Sequence, residues 1–209
     1  MKVLAIAGHA DDIELGAGGS IIKHSSNDDE VTLLLITHSE YSGYDGKLIR
    51  SRQTAASEAQ ASADIMGIKK IICLDYETKE VLYTVKLIED INRIIDDISP
   101  DIVYTHWDGD ANQDHSAISQ ATIIAARKIP RVLMYRSNWN QTTRDFKGNF
   151  TIDISNHIED KIKAINAHKS EVAKRGPAWA EYFMNRNRNT GIEVGVSYAE
   201  DFELLRWVM

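Results

Sequence analysis

Two short segments of this chain concentrate the groups that metals and protons need. One is His9-Ala10-Asp11-Asp12, the other Asp114-His115. Together they supply two imidazoles and three carboxylates. That donor set suits Zn²⁺, whose catalytic sites take three protein ligands and keep one position open. Such an ion polarises a carbonyl and brings the pKa of water down to about 7. A carboxylate beside the metal but not bound to it can act as general base. The segment His-x-Asp-Asp offers one Asp to ligate and one to take a proton. The same residues have a plainer reading. Asp is a common helix N-cap, so Asp11 or Asp12 would cap the helix that follows, and Asp114 the helix that opens at His115.

The elements around these segments decide where they sit. Lys2–Ala7, Val31–Thr37, Lys69–Leu74, Asp101–Thr105 and Arg131–Tyr135 are short, nearly continuous apolar runs. Between them lie segments with helical apolar spacing: Leu15–Ser25, Arg50–Met66 with Gly67 as its C-cap, Val85–Ile98 ahead of Pro100, and His115–Lys128 ahead of Pro130. Alternating apolar strands and helices predict a parallel sheet covered on both faces. The expected fold is therefore α/β: a three-layer, Rossmann-like, doubly wound and mainly parallel sheet with helices on both faces. In such sheets ligands bind beyond the carboxyl ends of the strands. His9, Asp11 and Asp12 follow the first strand. His38, Ser39 and Glu40 follow the second. His106, Asp108, Asp110, Asp114 and His115 follow the fourth. Residues 38–49 read as a loop. We expect one domain over residues 1–209, with a βα core at 1–135 and a C-terminal extension at 136–209 that packs on the core and the site. In that extension, 151–154 reads as a strand, 157–173 as one helix, 179–189 as a mixed aromatic and basic stretch, and 202–208 as a terminal strand or turn.

Composition excludes several classes. A net charge of −7 argues against a general nucleic-acid footprint, although a local field can still favour a small anion. The one cysteine, Cys73, sits in the run Ile71-Ile72-Cys73-Leu74 and reads as a small buried hydrophobe in a reducing compartment. No leader of secretory type and no apolar run of about 18 residues is present. The expectation is a cytoplasmic protein without a membrane span.

The segment His9-Ala10-Asp11-Asp12-Ile13-Glu14-Leu15-Gly16-Ala17-Gly18-Gly19 resembles the first signature of the LmbE-like, or PIG-L, deacetylase family: His-Pro-Asp-Asp-Glu followed by a Gly-Gly pair. Gln113-Asp114-His115 resembles the second, Pro-Asp-His. Thr105-His106 and His168-Lys169-Ser170 are further similarities. The resemblance implies removal of an N-acetyl group from an amino sugar or its conjugate (a sugar nucleotide, glycoside or small glycoconjugate). It implies one zinc ion per chain held by His9, Asp12 and His115, with Asp11 as general base toward the attacking water. Asp114 becomes a carboxylate that orients an imidazole or binds substrate. A homo-oligomer, trimer or hexamer, is the family habit. Two positions depart from the pattern. Ala10 replaces the usual Pro, which removes no ligand. Asn112 stands where a His is common, one thought to stabilise the oxyanion; Asn donates a hydrogen bond but no proton.

For substrate contacts the candidates are Glu40, Arg50, Arg52, His106, Trp107, Asn112 and His168, with Tyr44 beside Trp107 as a ring that could stack on a sugar. His24 and His157 read as surface positions. Arg186 and Arg188, interleaved with Asn185, Asn187 and Asn189, form a polar cationic strip that suits a substrate phosphate, a partner subunit or solvent. Two other classes compete. Asn112 would fit a metal-binding, catalytically weakened protein of the same fold. Gly16-x-Gly18-Gly19 suggests a nucleotide site, but its spacing fails Gly-x-Gly-x-x-Gly and acidic groups stand where phosphate would lie.

Overall fold

The computed structural model describes residues 1–208. Its seven-stranded sheet runs in the order β5 (Lys70–Tyr76), β2 (Glu30–Thr37), β1 (Lys2–Ala7), β6 (Ile102–His106), β7 (Arg131–Tyr135), β9 (Ala199–Trp207), β8 (Phe150–Asp153). The first five are mutually parallel; β9 runs antiparallel to β7, and β8 antiparallel to β9. β1 pairs on one side with β2 and on the other with β6. The turns after β1 and β6 therefore emerge side by side.

Alternation along each strand builds two cores. Val3, Ala5 and Ala7 of β1 join Val31, Leu33 and Leu35 of β2 beneath α1 (Asp12–Ser26), α2 (Arg52–Met66) and α5 (Ile158–Ala167). Leu4, Ile6, Leu34 and Ile36 face the other way, toward α3 (Val85–Ile98) and α4 (Gln113–Ala125). These layers are the expected three-layer α/β arrangement. α6 (Lys169–Arg175) and α7 (Ala178–Val194) complete the chain's helices among the described residues. A satellite cluster of Leu15, Ile165, Trp179 and Phe183 joins α7 to α1 and α5.

The chain's start and stop signals act as their chemistry requires. Ser51 caps α2 by accepting from the Thr54 N–H, and Gly67 ends it at φ 70°. Thr84 caps α3 through the Leu87 N–H. The glycines of α1 serve packing: a Cβ on Gly16 would lie 2.2 Å from the Tyr135 ring, and one on Gly19 2.7 Å from Ile154.

Several expectations need correction. Residues 38–49 are not a bare loop, for β3 (Tyr41–Ser42) and β4 (Leu48–Arg50) form a small hairpin. The helix expected over 157–173 is two, α5 and α6, which break at His168, whose side chain is pinned from both sides (below). Cys73 is exposed, because β5 is an edge strand and its outer residues are only partly covered. His24 is half-buried, held between Asp29 at 2.6 Å and the Tyr104 hydroxyl at 3.0 Å. The Arg/Asn strip is part of the scaffold: Arg186 pairs with Asp201 at 2.9 Å, and buried Asn187 donates to the Ala199 carbonyl, so both tie α7 to β9.

Candidate metal centre

The turn after β1 is drawn tight by its own second aspartate: Asp12 Oδ2 accepts the His9 N–H at 2.7 Å. Neither Asp11 nor Asp12 is spent on capping α1. On the neighbouring turn, Asn112 rather than Asp114 caps α4, accepting the Asp114 N–H at 2.9 Å. The capping reading of the aspartates therefore fails, and both turns deliver their chemistry to one point. His9 Nδ1 lies 3.1 Å from His115 Nε2 and 3.2 Å from Asp12 Oδ2, and His115 Nε2 lies 3.2 Å from Asp12 Oδ1. An ion held tetrahedrally at about 2.0–2.1 Å needs ligand atoms roughly 3.3 Å apart. The two imidazole nitrogens match that spacing to each other and each to one of the two Asp12 oxygens.

The remote ring nitrogens carry the second half of the fit. His9 Nε2 meets Asp114 Oδ2 at 2.9 Å, and His115 Nδ1 meets Asp110 Oδ2 at 3.1 Å. A carboxylate behind each imidazole fixes its tautomer and leaves the facing nitrogen free to ligate. Asp114 is itself fixed by the N–H groups of Lys79 and Val81. The charge balance agrees. Asp11, Asp12, Asp110 and Asp114 surround two imidazoles in a buried site. Burial lowers His9, but Asp12 and Asp114 outweigh it and push it up to about 10. Burial lowers His115 too, yet Asp12 and Asp110 carry it to about 9. Asp12 is held well below the usual carboxylate range: burial opposes this, and His115, His106 and His9 overcome it. A site so hungry for positive charge suits a divalent cation. A second convergent set, His106, Asp110 and His115, is closed: His106 Nε2 already accepts the Gly8 N–H at 2.9 Å.

This centre forms the floor of a cavity of about 430 Å³, the size of a small-molecule site. Asp11 lines it, and its carboxylate accepts no hydrogen bond from any described residue. Burial raises its carboxyl to about 6, the Asp12 charge adds to this, and Arg50 opposes it. A carboxylate so placed can exchange a proton near neutral pH.

The remaining candidates divide sharply. Arg50 and Asn112 line the cavity. Arg50 is buried and donates to the Ala10 carbonyl at 3.1 Å, bracing the His9–Asp12 turn from behind, and pairs with Glu58 at 3.0 Å. His168 does not reach the cavity. Its Nε2 meets Glu14 at 2.9 Å and its Nδ1 faces Arg50 at 3.0 Å. A guanidinium only donates, so in this arrangement Nδ1 accepts from Arg50 and Nε2 donates to Glu14. Burial lowers the ring's pKa, but the Glu14 charge outweighs it and raises it. Asp114 is likewise a positioning group, buried behind His9. Besides His168, four more of the expected substrate contacts do not line the cavity. Glu40 accepts the Arg52 N–H at the start of α2. Arg52 points to solvent and makes a two-pronged pair with Asp75. His106 is fully buried and stacks flat on His115, ring centroids 3.9 Å apart, as a backing plate. Trp107 is fully buried against Gly109 and Phe146, while Tyr44 stands exposed at the cavity mouth.

Asp110 and Ser39, placed at the rim by the strand-end pattern without a role, acquire one: Asp110 backs His115, and Ser39 accepts the Ala10 N–H at 2.9 Å. Ser137, which donates to Asp12 Oδ1 at 3.0 Å, escaped the sequence. Ser137 follows β7, so the strand-end rule alone could have flagged it. Tyr41, Trp139, Glu171, Lys174, Arg175 and Trp179 add the outer wall, with no signal in their spacing.

A family model described as GlcNAc-PI de-N-acetylase, PIG-L, matches residues 4–126, which span both metal-ligand turns. The chain belongs to the PIG-L family. Among PIG-L relatives it is 34% identical to the uncharacterised deacetylase YaiS of Escherichia coli K12, over 80% of this chain and 90% of that one. It is 26% identical to diacetylchitobiose deacetylase of Thermococcus kodakarensis, over 95% of this chain and 81% of that one. Its fold matches the conserved protein TT1542 of Thermus thermophilus with a TM-score of 0.85, at 23% identity, covering 99% of this chain and 96% of that one. PIG-L membership makes the chain one of a family of deacetylases. Among the described residues, no helix is long and apolar enough to cross a membrane.

Proposed function

We propose that the protein is a zinc-dependent hydrolase that removes the acetyl group from an N-acetylated amino sugar or its conjugate. The observation that carries this reading is the convergence of His9, Asp12 and His115 at 3.1–3.2 Å, each imidazole backed by a carboxylate. His9, Asp12 and His115 would hold the zinc. When bound, the ion supplies a Lewis acid for the amide carbonyl and acidifies water. Asp11 takes the proton of the attacking water and returns it to the leaving amine. The lack of a protein hydrogen bond to its carboxylate leaves both oxygens free for that exchange. Asn112 has its Oδ1 occupied by the Asp114 N–H, so its Nδ2 is the group left to donate to the developing oxyanion. Arg50, from the cavity wall, and Asp114, from behind His9, hold the geometry. The names of the relatives, a diacetylchitobiose deacetylase among them, support an N-acetylated sugar as the substrate.

Elemental analysis of the purified protein is expected to find about one zinc per chain. Asp11→Asn is expected to keep that zinc while acetate release from N-acetylglucosamine conjugates falls by about 10²–10⁴. Zinc-loaded protein that releases acetate from no N-acetylated sugar, or an Asp11→Asn variant as fast as the parent, would sink the reading.

A further inference from the structure

The cavity has two chemically different ends. Its floor is the metal centre. Its outer wall gathers around one ring, that of Tyr41 at the start of the hairpin. Lys174 Nζ lies 4.4 Å and Lys79 Nζ 5.2 Å from the centroid of that ring, and Lys174 also donates to the Tyr41 hydroxyl at 3.0 Å. Arg175, next on the same helix, donates through Nε to Glu171 at 2.9 Å. All of these residues line the cavity. Glu171, the one acid among them, is buried and already takes the Tyr41 hydroxyl and Arg175. Three cations thus gather around one already hydrogen-bonded carboxylate, with only Asp11 deeper in the cavity to offset them further, in a chain whose net charge is −7. Lys174 registers the crowding. Burial lowers its ammonium first, Glu171 opposes, and Arg175 and Lys79 lower it further.

Lys79 is kept there at a conformational cost. Its φ is 71°, in the left-handed region that favours glycine. Its N–H donates to Asp114 at 2.7 Å, which ties this backbone to the support of His9. A glycine would make that same bond with less strain. What lysine adds is an ammonium at the cavity wall, where it donates to the Ser42 carbonyl at 3.0 Å.

We infer that this wall is an anion subsite: the substrate presents a compact anionic group, a phosphate or a carboxylate, to Lys79, Lys174 and Arg175 while its acetamido group lies over the metal centre. The inference rests on the deacetylase reading above and adds the substrate's charge to it. Ammonium and guanidinium groups make short, charge-assisted bonds to such anions, and the local field draws them in against the charge of the whole chain.

The test uses three probes: neutral N-acetylglucosamine, its 1-phosphate, and N-acetylmuramic acid as the carboxylate arm. For zinc-loaded protein, kcat/KM for an anionic probe is expected to exceed that for the neutral sugar by about tenfold or more, equivalent to about 1.4 kcal/mol. The pair Lys79→Gln and Lys174→Gln is expected to shrink that ratio about tenfold and to weaken its salt dependence, whereas Lys174→Arg preserves it. The better anionic probe identifies phosphate or carboxylate as the group read. Calorimetric binding of the same probes to Asp11→Asn separates the two readings. If anionic probes bind the parent wall and not the glutamine pair, yet nothing releases acetate, the deacetylase reading fails and the subsite stands. If neither anionic probe is bound or turned over better than the neutral sugar, the subsite is overturned while acetate release can stand.

Discussion

Helix α1 carries a buried cluster of charges at each of two points, and they are built on opposite rules. At its start, Asp12 converges with His9 and His115 in a group with more carboxylates than any protein cation there can balance. At its middle, Lys161 and Glu200 form a closed pair, both fully buried. Lys161 Nζ spends its three protons on Glu200 at 2.7 Å, Asn187 at 2.7 Å and the Leu15 carbonyl at 3.0 Å. Glu200 accepts the Gly19 and Ser20 N–H groups at 2.9 and 2.8 Å, and the Ser20 hydroxyl. The pair thus takes the carbonyl of Leu15 and the amide of Gly19, two groups one helical hydrogen bond apart. Burial pulls Lys161 below the usual lysine range, and Glu200 works to keep it charged. Burial and charge alone do not mark a reactive site; imbalance does. The closed pair holds α1 to α5, α7 and β9, and the open one waits on a cation.

The largest expected effect breaks the open cluster. Asp12→Ala removes a ligand, the acceptor that draws in the His9 N–H, and the partner of Ser137. Zinc retention should be lost and kcat/KM should fall by about 10³ or more, several kcal/mol of transition-state stabilisation. Circular dichroism should still report a folded sheet. Next comes the closed cluster. Lys161→Met leaves Glu200 charged and alone in the interior, which costs about 3–5 kcal/mol, read from urea unfolding. Adding Glu200→Gln removes the stranded charge and should recover part of the loss. Acetate release per folded molecule should hold in both. If Lys161→Met instead lowered activity without lowering stability, the division between the two clusters would be wrong.

That division also explains what could be read before folding. The metal ligands stand in two contiguous stretches at strand ends, and strand–helix alternation is enough to bring the β1 and β6 turns together. Their chemistry is local, so it survives as a motif. The outer wall is assembled from a hairpin, the Lys79 turn, a seven-residue helix and the segment after β7. Lys174 and Arg175 in sequence are indistinguishable from the solvated residues of any short helix. The expected contacts that miss the cavity miss it for different reasons: Arg50 closes β4 and faces inward while Arg52 opens α2 and faces water, and His106 and Trp107 are sealed in the core. His168 was flagged by resemblance, but its partners Glu14 and Arg50 lie more than a hundred residues away in the chain. Cys73 misled because an apolar run does not reveal whether its strand lies at the centre or the edge of a sheet.

The comparison sharpens with the carboxylates behind the ligands. Asp110→Asn keeps the shape behind His115 but removes the charge that makes its facing nitrogen a good donor. Zinc affinity is expected to fall by about 10–100-fold, measured by competition with a chromogenic chelator. An unchanged affinity would mean that His115 is oriented by its stacking on His106 alone.

The smallest expected effect sets the baseline for both clusters, because it belongs to a surface pair whose lysine is open to water. On α3, Asp90 accepts from Lys86 Nζ at 2.5 Å and from the Tyr76 hydroxyl at 2.7 Å. Its slight burial would raise the carboxyl, but Lys86 and Tyr76 outweigh this and hold it below the ordinary aspartate value. A carboxylate depressed in the folded state contributes stability above its unfolded pKa and loses it as pH falls through the folded one. The urea midpoint of Asp90→Asn should therefore lie slightly below that of the parent at neutral pH, and the gap should close on acidification below about pH 4. High salt should close it too, since exposed pairs are screened. The loss in Lys161→Met should persist in the same salt, because no mobile ion reaches a pair with no exposed surface. A salt-sensitive Lys161 effect would place that pair with the surface pairs and remove the contrast on which α1 has been read.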